Sequence, residues 1–262
     1  MKSLSRLFQN KKIVFLDMDG TIYLGEKLIQ GADQFLSTLK KKGIKYYYLS
    51  NNSSHSKSDY VSKLKHLGIP AATEEIILST DGVIDFLHSR KIEKTYVVGT
   101  QSMKEMFIQE RIEVDSQNPA YIVLGFDTEL DYVKIRTAAL FLQGGIPMLA
   151  THKDLVCPTP DGPIPDVGAM LALFEKATGK TPEKIFGKPN TEMLDYIIKR
   201  HKAAVDEMVI IGDRIYTDME MANQIGCDFI LVLSGETQRN DLPQLKSKPT
   251  LVVDNIGQLL SD

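Results

Sequence analysis

Short apolar runs alternate with amphipathic stretches along the chain, and this alternation predicts β-strands separated by α-helices. Residues 13–16 are apolar and rich in β-branched side chains, which is typical of a central strand buried on both faces. Residues 31–42 carry apolar side chains at helical spacing before Gly43, a common helix stop, and residues 56–67 repeat this pattern. Because such βα units build parallel sheets with right-handed crossovers, the chain is predicted to be an α/β protein.

Further apolar runs predict the other strands of a core domain, at residues 43–49, 184–186, 207–211, 229–233 and 251–253. Residues 1–78 and 181–262 are therefore predicted to form one doubly wound, Rossmann-like core with a parallel sheet. The short, turn-rich segment 20–29 within this core indicates a small hairpin flap.

The segment between these two parts has an α/β pattern of its own. Strands are predicted at 95–98, 121–124 and 146–150, and helices at 131–143 and 167–178, each followed by a glycine. Residues 79–180 are long enough to bury a small core and are predicted to form an inserted, smaller α/β cap domain. A cap excludes water and contributes the surface that faces a substrate.

Four predicted core strands run into polar residues of complementary chemistry. The four clusters are Asp17-Met18-Asp19-Gly20-Thr21, Ser50-Asn51-Asn52, Gly187-Lys188-Pro189 and Gly212-Asp213-Arg214 with Thr217-Asp218. Any one cluster could be a solvated turn, because Asp and Gly favour turns. However, the carboxyl ends of parallel strands meet along one sheet edge, where open α/β folds bind their ligands. Four clusters of this kind therefore favour a single functional site.

These residues resemble the four motifs of the haloacid dehalogenase superfamily of phosphatases. The Ser-Asn-Asn form and the large insertion that follows it are similar to class IIA, the branch of NagD-like and p-nitrophenyl phosphatases with a C2-type cap. The resemblance covers essentially the whole chain. It implies a Mg²⁺-dependent phosphomonoester hydrolase that acts on small organic phosphates, such as sugar phosphates or nucleotides, through an aspartyl-phosphate. A phosphotransferase at the same aspartate and a non-catalytic protein that binds phosphorylated metabolites remain alternatives.

The first motif carries the chemistry that such a reaction needs. A carboxylate can act as nucleophile and split a difficult hydrolysis into two easier steps, and Asp17, first out of the buried strand, is the predicted nucleophile. Asp19 is the predicted general acid, and then the base for the hydrolytic water. Gly20 lets the chain turn tightly where backbone amides approach phosphate.

The resemblance implies that Asp17, the backbone carbonyl of Asp19 and Asp213 bind the metal, and an all-oxygen set of this kind suits Mg²⁺. Asp218 is expected to orient metal-bound waters or Lys188 without binding the metal itself. Lys188 is predicted to neutralise charge on the nucleophile and on the transferring group, although an exposed surface lysine is the ordinary alternative.

Ser50 and Asn51 are predicted to donate hydrogen bonds to the phosphoryl oxygens. Asn52 belongs to the same motif, but a structural role in a turn is equally compatible with it. Arg214 has no evident role in the reaction and is compatible with a simple ion pair to a surface acid. In the cap, the polar loop that contains His152 and Asp154 is a hypothetical substrate-binding segment. The alternative is a rigid surface loop at a helix start, with Asp166 as the helix cap.

Composition restricts the partners of the protein. A formal net charge of −3 gives no electrostatic reason to bind nucleic acid, whose backbone favours a basic surface. No long apolar segment indicates a signal peptide or a membrane span, so a cytoplasmic location and no membrane partner are expected. The expected partner is a small-molecule phosphate ester, and the family resemblance implies a homodimer through the cap domain.

Overall fold

Strands and helices alternate along the chain, as the hydrophobic pattern predicts. The structure, a computed structural model, describes residues 7–159 and 161–260. In chain order, the strands are β1 (Ile13–Asp17), β2 (Tyr23–Leu24), β3 (Lys27–Leu28), β4 (Lys45–Ser50), β5 (Ile76–Leu78), β6 (Thr95–Val98), β7 (Tyr121–Leu124), β8 (Met148–Ala150), β9 (Val156–Cys157), β10 (Ile164–Pro165), β11 (Lys184–Ile185), β12 (Met208–Gly212), β13 (Asp228–Val232) and β14 (Leu251–Val253). The α-helices are α1 (Ala32–Lys41), α2 (Lys57–His66), α3 (Ser79–Ser89), α4 (Gln101–Gln109), α5 (Tyr132–Gln143), α6 (Val167–Thr178), α7 (Asp195–His201) and α8 (Glu220–Ile225).

The larger sheet has the strand order β14-β13-β12-β1-β4-β5. Strand β1 lies in its interior and pairs in parallel with β12 and β4, so that Leu16 is opposite both Ile211 and Tyr48. Every residue of β1 is buried, and Phe15 packs in a hydrophobic cluster with residues from both neighbouring strands. The predicted parallel α/β core is confirmed, and its central strand ends at Asp17.

A smaller parallel sheet has the order β11-β8-β7-β6. Helices α5 and α6 pack in one hydrophobic cluster with this sheet, through Ala138, Leu142 and Phe174 among others. The sequence analysis placed the strand at 184–186 in the larger sheet, and that placement is wrong. Strand β11 pairs instead with β8, where Ile185 lies opposite Ala150 and packs against the smaller cluster.

The described chain divides into two compact units, which we name by size. The larger unit contains residues 7–50, 61–77 and 188–260, and the smaller unit contains residues 51–60, 78–159 and 161–187. The chain first leaves the larger unit after Ser50 and finally returns to it at Lys188. Both passages therefore fall within motifs that the sequence analysis singled out.

The flap predicted at residues 20–29 is a short hairpin. Strands β2 and β3 are antiparallel, with Tyr23 opposite Leu28, and Asp19 forms an isolated bridge with Tyr23 next to it. In the described part of the chain, no helix is both long enough and apolar enough to cross a membrane.

Candidate active site

In the larger unit, Lys188 is buried between two carboxylates. Its Nζ donates a hydrogen bond to Asp17 at the end of β1 and another, of 2.7 Å, to Asp218 Oδ1. Burial alone would lower the pKa of Lys188, but Asp17 and Asp218 outweigh that effect and raise the pKa above its ordinary value. The lysine is therefore a fixed positive charge that orients the Asp17 carboxylate.

Asp213 follows β12 directly, on the strand next to β1. Its Oδ2 accepts a 2.6 Å hydrogen bond from the backbone N–H of Glu236. Asp218 lies in the following turn, where its Oδ2 accepts a 3.2 Å hydrogen bond from the backbone N–H of Arg214. The Arg214 guanidinium in turn forms a 3.0 Å ion pair with the exposed acid Glu236, which is the kind of partner that the sequence suggested for it.

Asp17, Asp213 and Asp218 form a buried cluster whose ligand oxygens lie within 4.8 Å of one another. Burial, followed by repulsion from Asp17 and Asp218, raises the pKa of Asp213 to about 8. Burial also raises the pKa of Asp218 to about 6, although Lys188 opposes this shift. Such a cluster is unfavourable unless a further cation balances it.

One carboxylate oxygen of this cluster is placed as a metal ligand would be. Asp213 Oδ1 is buried, and no described residue donates a hydrogen bond to it. Together with Asp17 it offers an all-oxygen donor set, which suits a hard divalent cation and not a soft one. The residues therefore fit the divalent metal that the family resemblance implies.

Asp19 lies beside the flap and is exposed to solvent. The protein surrounding its carboxyl nevertheless raises its pKa by desolvation, and Lys63 and Arg214 partly offset this effect. Lys63 Nζ lies 4.2 Å from the centre of the Tyr23 ring. A raised pKa brings a carboxylic acid closer to the range in which it can donate a proton.

Gly20 occupies a position that a side chain would block. Its φ of +85° lies in the left-handed region, and an added Cβ would come within 2.6 Å of Asp213 Oδ2. Its N–H donates to the Tyr23 carbonyl at 2.7 Å, and its own carbonyl accepts a 2.6 Å hydrogen bond from Ser234 Oγ. The loop after β13, which contains Ser234 and Glu236, was not predicted as part of the site.

The second motif is divided between the two units. Ser50 is the half-buried last residue of β4, next to β1 in the larger sheet. Asn51 belongs to the smaller unit, where its Nδ2 donates a 3.1 Å hydrogen bond to Asp154 Oδ2. Asn52 Oδ1 accepts hydrogen bonds from the backbone N–H and the hydroxyl of Ser54, at 2.9 and 2.7 Å. This contact supports the turn role that the sequence left open for Asn52.

Hydroxyl groups attach the segment after Asn51 to the carboxyl edge of the smaller sheet. Ser53 Oγ accepts a 2.8 Å hydrogen bond from the backbone N–H of Phe126 and lies 3.0 Å from Thr151 Oγ1. Thr100 Oγ1 donates a 2.7 Å hydrogen bond to the Ser54 carbonyl. Ser53 and Thr151 lie beside residues that the sequence analysis singled out, but it assigned neither these contacts nor a role for Thr100.

His152 and Asp154 lie in the loop after β8, within the smaller unit. The His152 side chain is fully buried, with Nδ1 3.6 Å from Asp154 Oδ2 and Nε2 3.5 Å from Asp166 Oδ1. Asp166 caps α6 by accepting a 2.6 Å hydrogen bond from the Val167 N–H. Direct contact of this loop with a substrate stays a prediction.

Comparison with known proteins agrees with the motifs. Residues 14–113 match a family model described as haloacid dehalogenase-like hydrolase, and residues 185–259 match one described as HAD-hydrolase-like. The chain is 36% identical to the 4-nitrophenylphosphatase from Thermotoga maritima over 97% of both chains, with a TM-score of 0.93.

Two other solved structures share the fold. NagD from E. coli K-12 is 26% identical, with coverage of 95% of this chain and 98% of NagD and a TM-score of 0.86. The glycerol phosphate phosphatase of Mycobacterium tuberculosis, solved in complex with magnesium, is 26% identical, with coverage of 100% of this chain and 79% of that one and a TM-score of 0.89. The chain therefore belongs to the haloacid dehalogenase-like hydrolases, in the branch of the NagD and p-nitrophenyl phosphatases, and is a hydrolase of phosphoric monoesters.

Proposed function

We propose that the protein hydrolyses small organic phosphate esters in a Mg²⁺-dependent reaction, through an aspartyl-phosphate formed on Asp17. The observation that carries this proposal is the buried ion pair of Asp17 with Lys188, beside Asp213 and Asp218. Asp17 and Asp213, with the backbone carbonyl of Asp19, would hold Mg²⁺, which when bound neutralises charge on the phosphoryl group.

In the first step, the Asp17 carboxylate attacks phosphorus and the ester oxygen leaves. An anionic nucleophile and an anionic phosphate repel each other, and Lys188 reduces that repulsion because its charge is fixed beside Asp17. Asp218 holds Lys188 from its other side. Ser50 and Asn51 are proposed to donate hydrogen bonds to the phosphoryl oxygens, and Gly20 to leave room for backbone amides near them.

Asp19 is proposed to carry the proton. It protonates the departing ester oxygen, and its carboxylate then accepts a proton from the water that attacks the aspartyl-phosphate. The products are the alcohol and inorganic phosphate, and Asp17 is regenerated. Desolvation raises the pKa of Asp19, which favours the protonated form that the first of these steps requires.

The Asp19→Asn variant tests this role through the leaving group. An amide cannot donate a carboxyl proton, so we expect the rate of aspartyl-phosphate formation from an alkyl phosphate to fall by about 10²-fold or more. Formation from p-nitrophenyl phosphate, whose phenolate leaves without protonation, should fall much less. Rapid-quench measurement of the alcohol released in the first turnover gives both rates, and equal losses for the two esters would refute the acid role.

The metal site has a consequence for stability. In the metal-free protein, the raised pKa of Asp213 means that its ionised form is less favourable in the folded state than in the unfolded chain. Stability should therefore fall as pH rises from about 4, the ordinary pKa of Asp, to about 8, the pKa of folded Asp213. Mg²⁺ at a hundred times its dissociation constant should restore about 2.7 kcal/mol, or roughly 5–10 °C in Tm.

Asp213→Asn is the informative variant for that experiment. It removes the titrating group, so its metal-free Tm at pH 8 should exceed that of the unsubstituted protein, and the response to Mg²⁺ should largely disappear. The measurement is thermal unfolding with Mg²⁺ and with EDTA between pH 5 and pH 8. A variant that keeps the full Mg²⁺ response would show that Asp213 does not bind the metal.

The function as a whole is tested by phosphate release from p-nitrophenyl phosphate and from a panel of sugar phosphates, nucleoside monophosphates and glycerol phosphates, with Mg²⁺ and with EDTA. We expect release that requires the metal and favours one group of esters. Transfer of phosphate to an added alcohol, with little free phosphate, would favour the phosphotransferase. Binding without release would favour the non-catalytic alternative.

The remaining sequence-based expectations are proposals as well. The sequence assigned residues 1–78 and 181–262 to a catalytic core and residues 79–180 to a cap. With the bounds of the two compact units, we assign the larger unit to the catalytic core and the smaller unit to the cap, whose loop with His152 and Asp154 contributes to substrate binding. A homodimer through the cap and a cytoplasmic location stay predictions.

A further inference from the structure

The smaller unit contains a buried polar cluster that no step of the proposed reaction uses directly. The imidazole of His152 is enclosed completely and lies between the carboxylates of Asp154 and Asp166, at 3.6 and 3.5 Å. Asp154 and Asp166 are themselves nearly buried, with side chains 8% and 6% exposed. Burying such groups costs free energy unless their contacts compensate for the lost water. The contacts of the cluster therefore indicate its role.

One end of the cluster is attached to helix α6. Asp166 caps this helix through the Val167 N–H at 2.6 Å, and its own N–H donates to the Leu155 carbonyl at 3.0 Å. The Gly168 N–H also donates to the Asp154 carbonyl at 2.8 Å. The loop backbone is therefore held on the first turn of the helix, and Asp166 gives His152 a fixed partner.

The other end of the cluster meets the second motif. Asp154 Oδ2, the oxygen that His152 faces, accepts the hydrogen bond from Asn51 Nδ2. An asparagine amide has a donor end and an acceptor end, and a flipped amide would place its oxygen against the carboxylate. Asp154 therefore fixes the orientation of the Asn51 amide. His152 in turn holds the backbone of Asp154, whose N–H donates a 3.4 Å hydrogen bond to His152 Nδ1.

We propose that His152 is a positioning residue. It strengthens phosphate binding by holding Asp154, which orients the Asn51 amide, and it does not itself contact the phosphoryl group. The chain of contacts runs from α6 through Asp166, His152 and Asp154 to the amide of Asn51. This inference rests on the proposed function, because it assumes that Asn51 donates to a phosphoryl oxygen. The proposed role of the loop with His152 and Asp154 is thus specific: it orients the Asn51 amide as a hydrogen-bond donor.

A double-mutant cycle tests the coupling, with inorganic phosphate as the ligand and titration calorimetry on the Mg²⁺-loaded protein as the measurement. Asn51→Ala and His152→Ala should each weaken phosphate binding by about 10-fold, the lower end of the range for residues that support ligating groups. The double variant should bind no more weakly than Asn51→Ala, because His152 has no effect without the amide that it positions.

Two further variants separate positioning from general stability. His152→Asn retains a polar group near Asp154 and should recover part of the lost affinity, and it replaces His152→Ala in the cycle if the alanine variant does not fold. Asp127→Asn is the matched control, since Asp127 is a buried acid of the same unit that pairs with Lys134 at 2.8 Å. It should lower Tm and leave phosphate affinity unchanged.

The outcomes distinguish failure of the positioning role of His152 from failure of the proposed phosphate contact of Asn51. Phosphate affinity that is unchanged in His152→Ala, or losses that multiply in the double variant, would overturn the positioning role while leaving the proposed function intact. Unchanged affinity in Asn51→Ala would instead contradict the phosphate contact of Asn51 in the proposed function, and the inference would fall with it.

Discussion

Replacing Asp17 with Asn is expected to reduce phosphate release by about 10⁴-fold or more, which is the scale of loss when a nucleophile is removed. The amide has nearly the same shape as the carboxylate but cannot form an acyl phosphate by the same attack. The measurement is steady-state phosphate release with Mg²⁺, together with thermal unfolding of the same samples.

The fold should survive this substitution. Lys188 keeps its ion pair with Asp218, and the variant removes one of the negative charges that raise the pKa of Asp213. Asp228→Asn is a matched control in the same unit, because Asp228 is also paired with a buried lysine, Lys11. The control should keep its activity, and substantial turnover by Asp17→Asn would identify a different nucleophile.

Replacing Lys188 with Met is expected to abolish turnover and to destabilise the protein by about 3–5 kcal/mol, the usual cost of removing one partner from a buried ion pair. Asp17 and Asp218 would then lose the ammonium group that lies between them, which leaves Arg214 to oppose their repulsion from each other and from Asp213. For a chain of this size, the loss corresponds to roughly 6–20 °C in Tm.

Lys11 provides the control that separates stability from chemistry. The side chains of Lys11 and Lys188 are both 3% exposed, and Lys11 bonds to Asp228 and to the Asp206 and Met208 carbonyls. Lys11→Met should lower Tm but leave the specific activity of the folded protein largely unchanged. If Lys188→Met lost stability and kept its activity, Lys188 would be only a structural residue.

Local sequence was sufficient where an element has a strong pattern of its own. The apolar run before Asp17 and the helical pattern from Val167 to Thr178 coincide with β1 and α6. Helix α3 was not predicted, and Gly82 in its first turn weakens the helical signal. The structure shows why a small residue is present there: an added Cβ would lie 3.1 Å from the Phe186 ring.

Sheet membership could not be deduced from local sequence. The short apolar run at 184–186 indicates a strand, but pairing with β8 depends on contacts between distant parts of the chain. Lys188 therefore enters the larger unit directly after a strand of the smaller sheet. The family motif indicated the lysine as a site residue even though the strand before it was assigned to the wrong sheet.

The same limit applies to the residues that support the candidate site. Asp17, Lys188, Asp213 and Asp218 stand in recognisable motifs, and the structure brings their side chains together. Ser234 and Glu236 bind this site from the loop after β13, and a serine or a glutamate in a loop has no distinctive pattern. Such supporting contacts become visible only when the chain is folded.

Direct trapping of the aspartyl-phosphate is the measurement that tests the central claim. In Asp19→Asn protein the base for the second step is missing, so the intermediate formed from p-nitrophenyl phosphate should accumulate. Rapid quenching with borohydride reduces an acyl phosphate to an alcohol, which mass spectrometry of peptides can locate. We predict modification at Asp17, stoichiometric with the first burst of p-nitrophenol and absent from Asp17→Asn. A full burst without modification at Asp17, or with modification at another acid, would contradict the account.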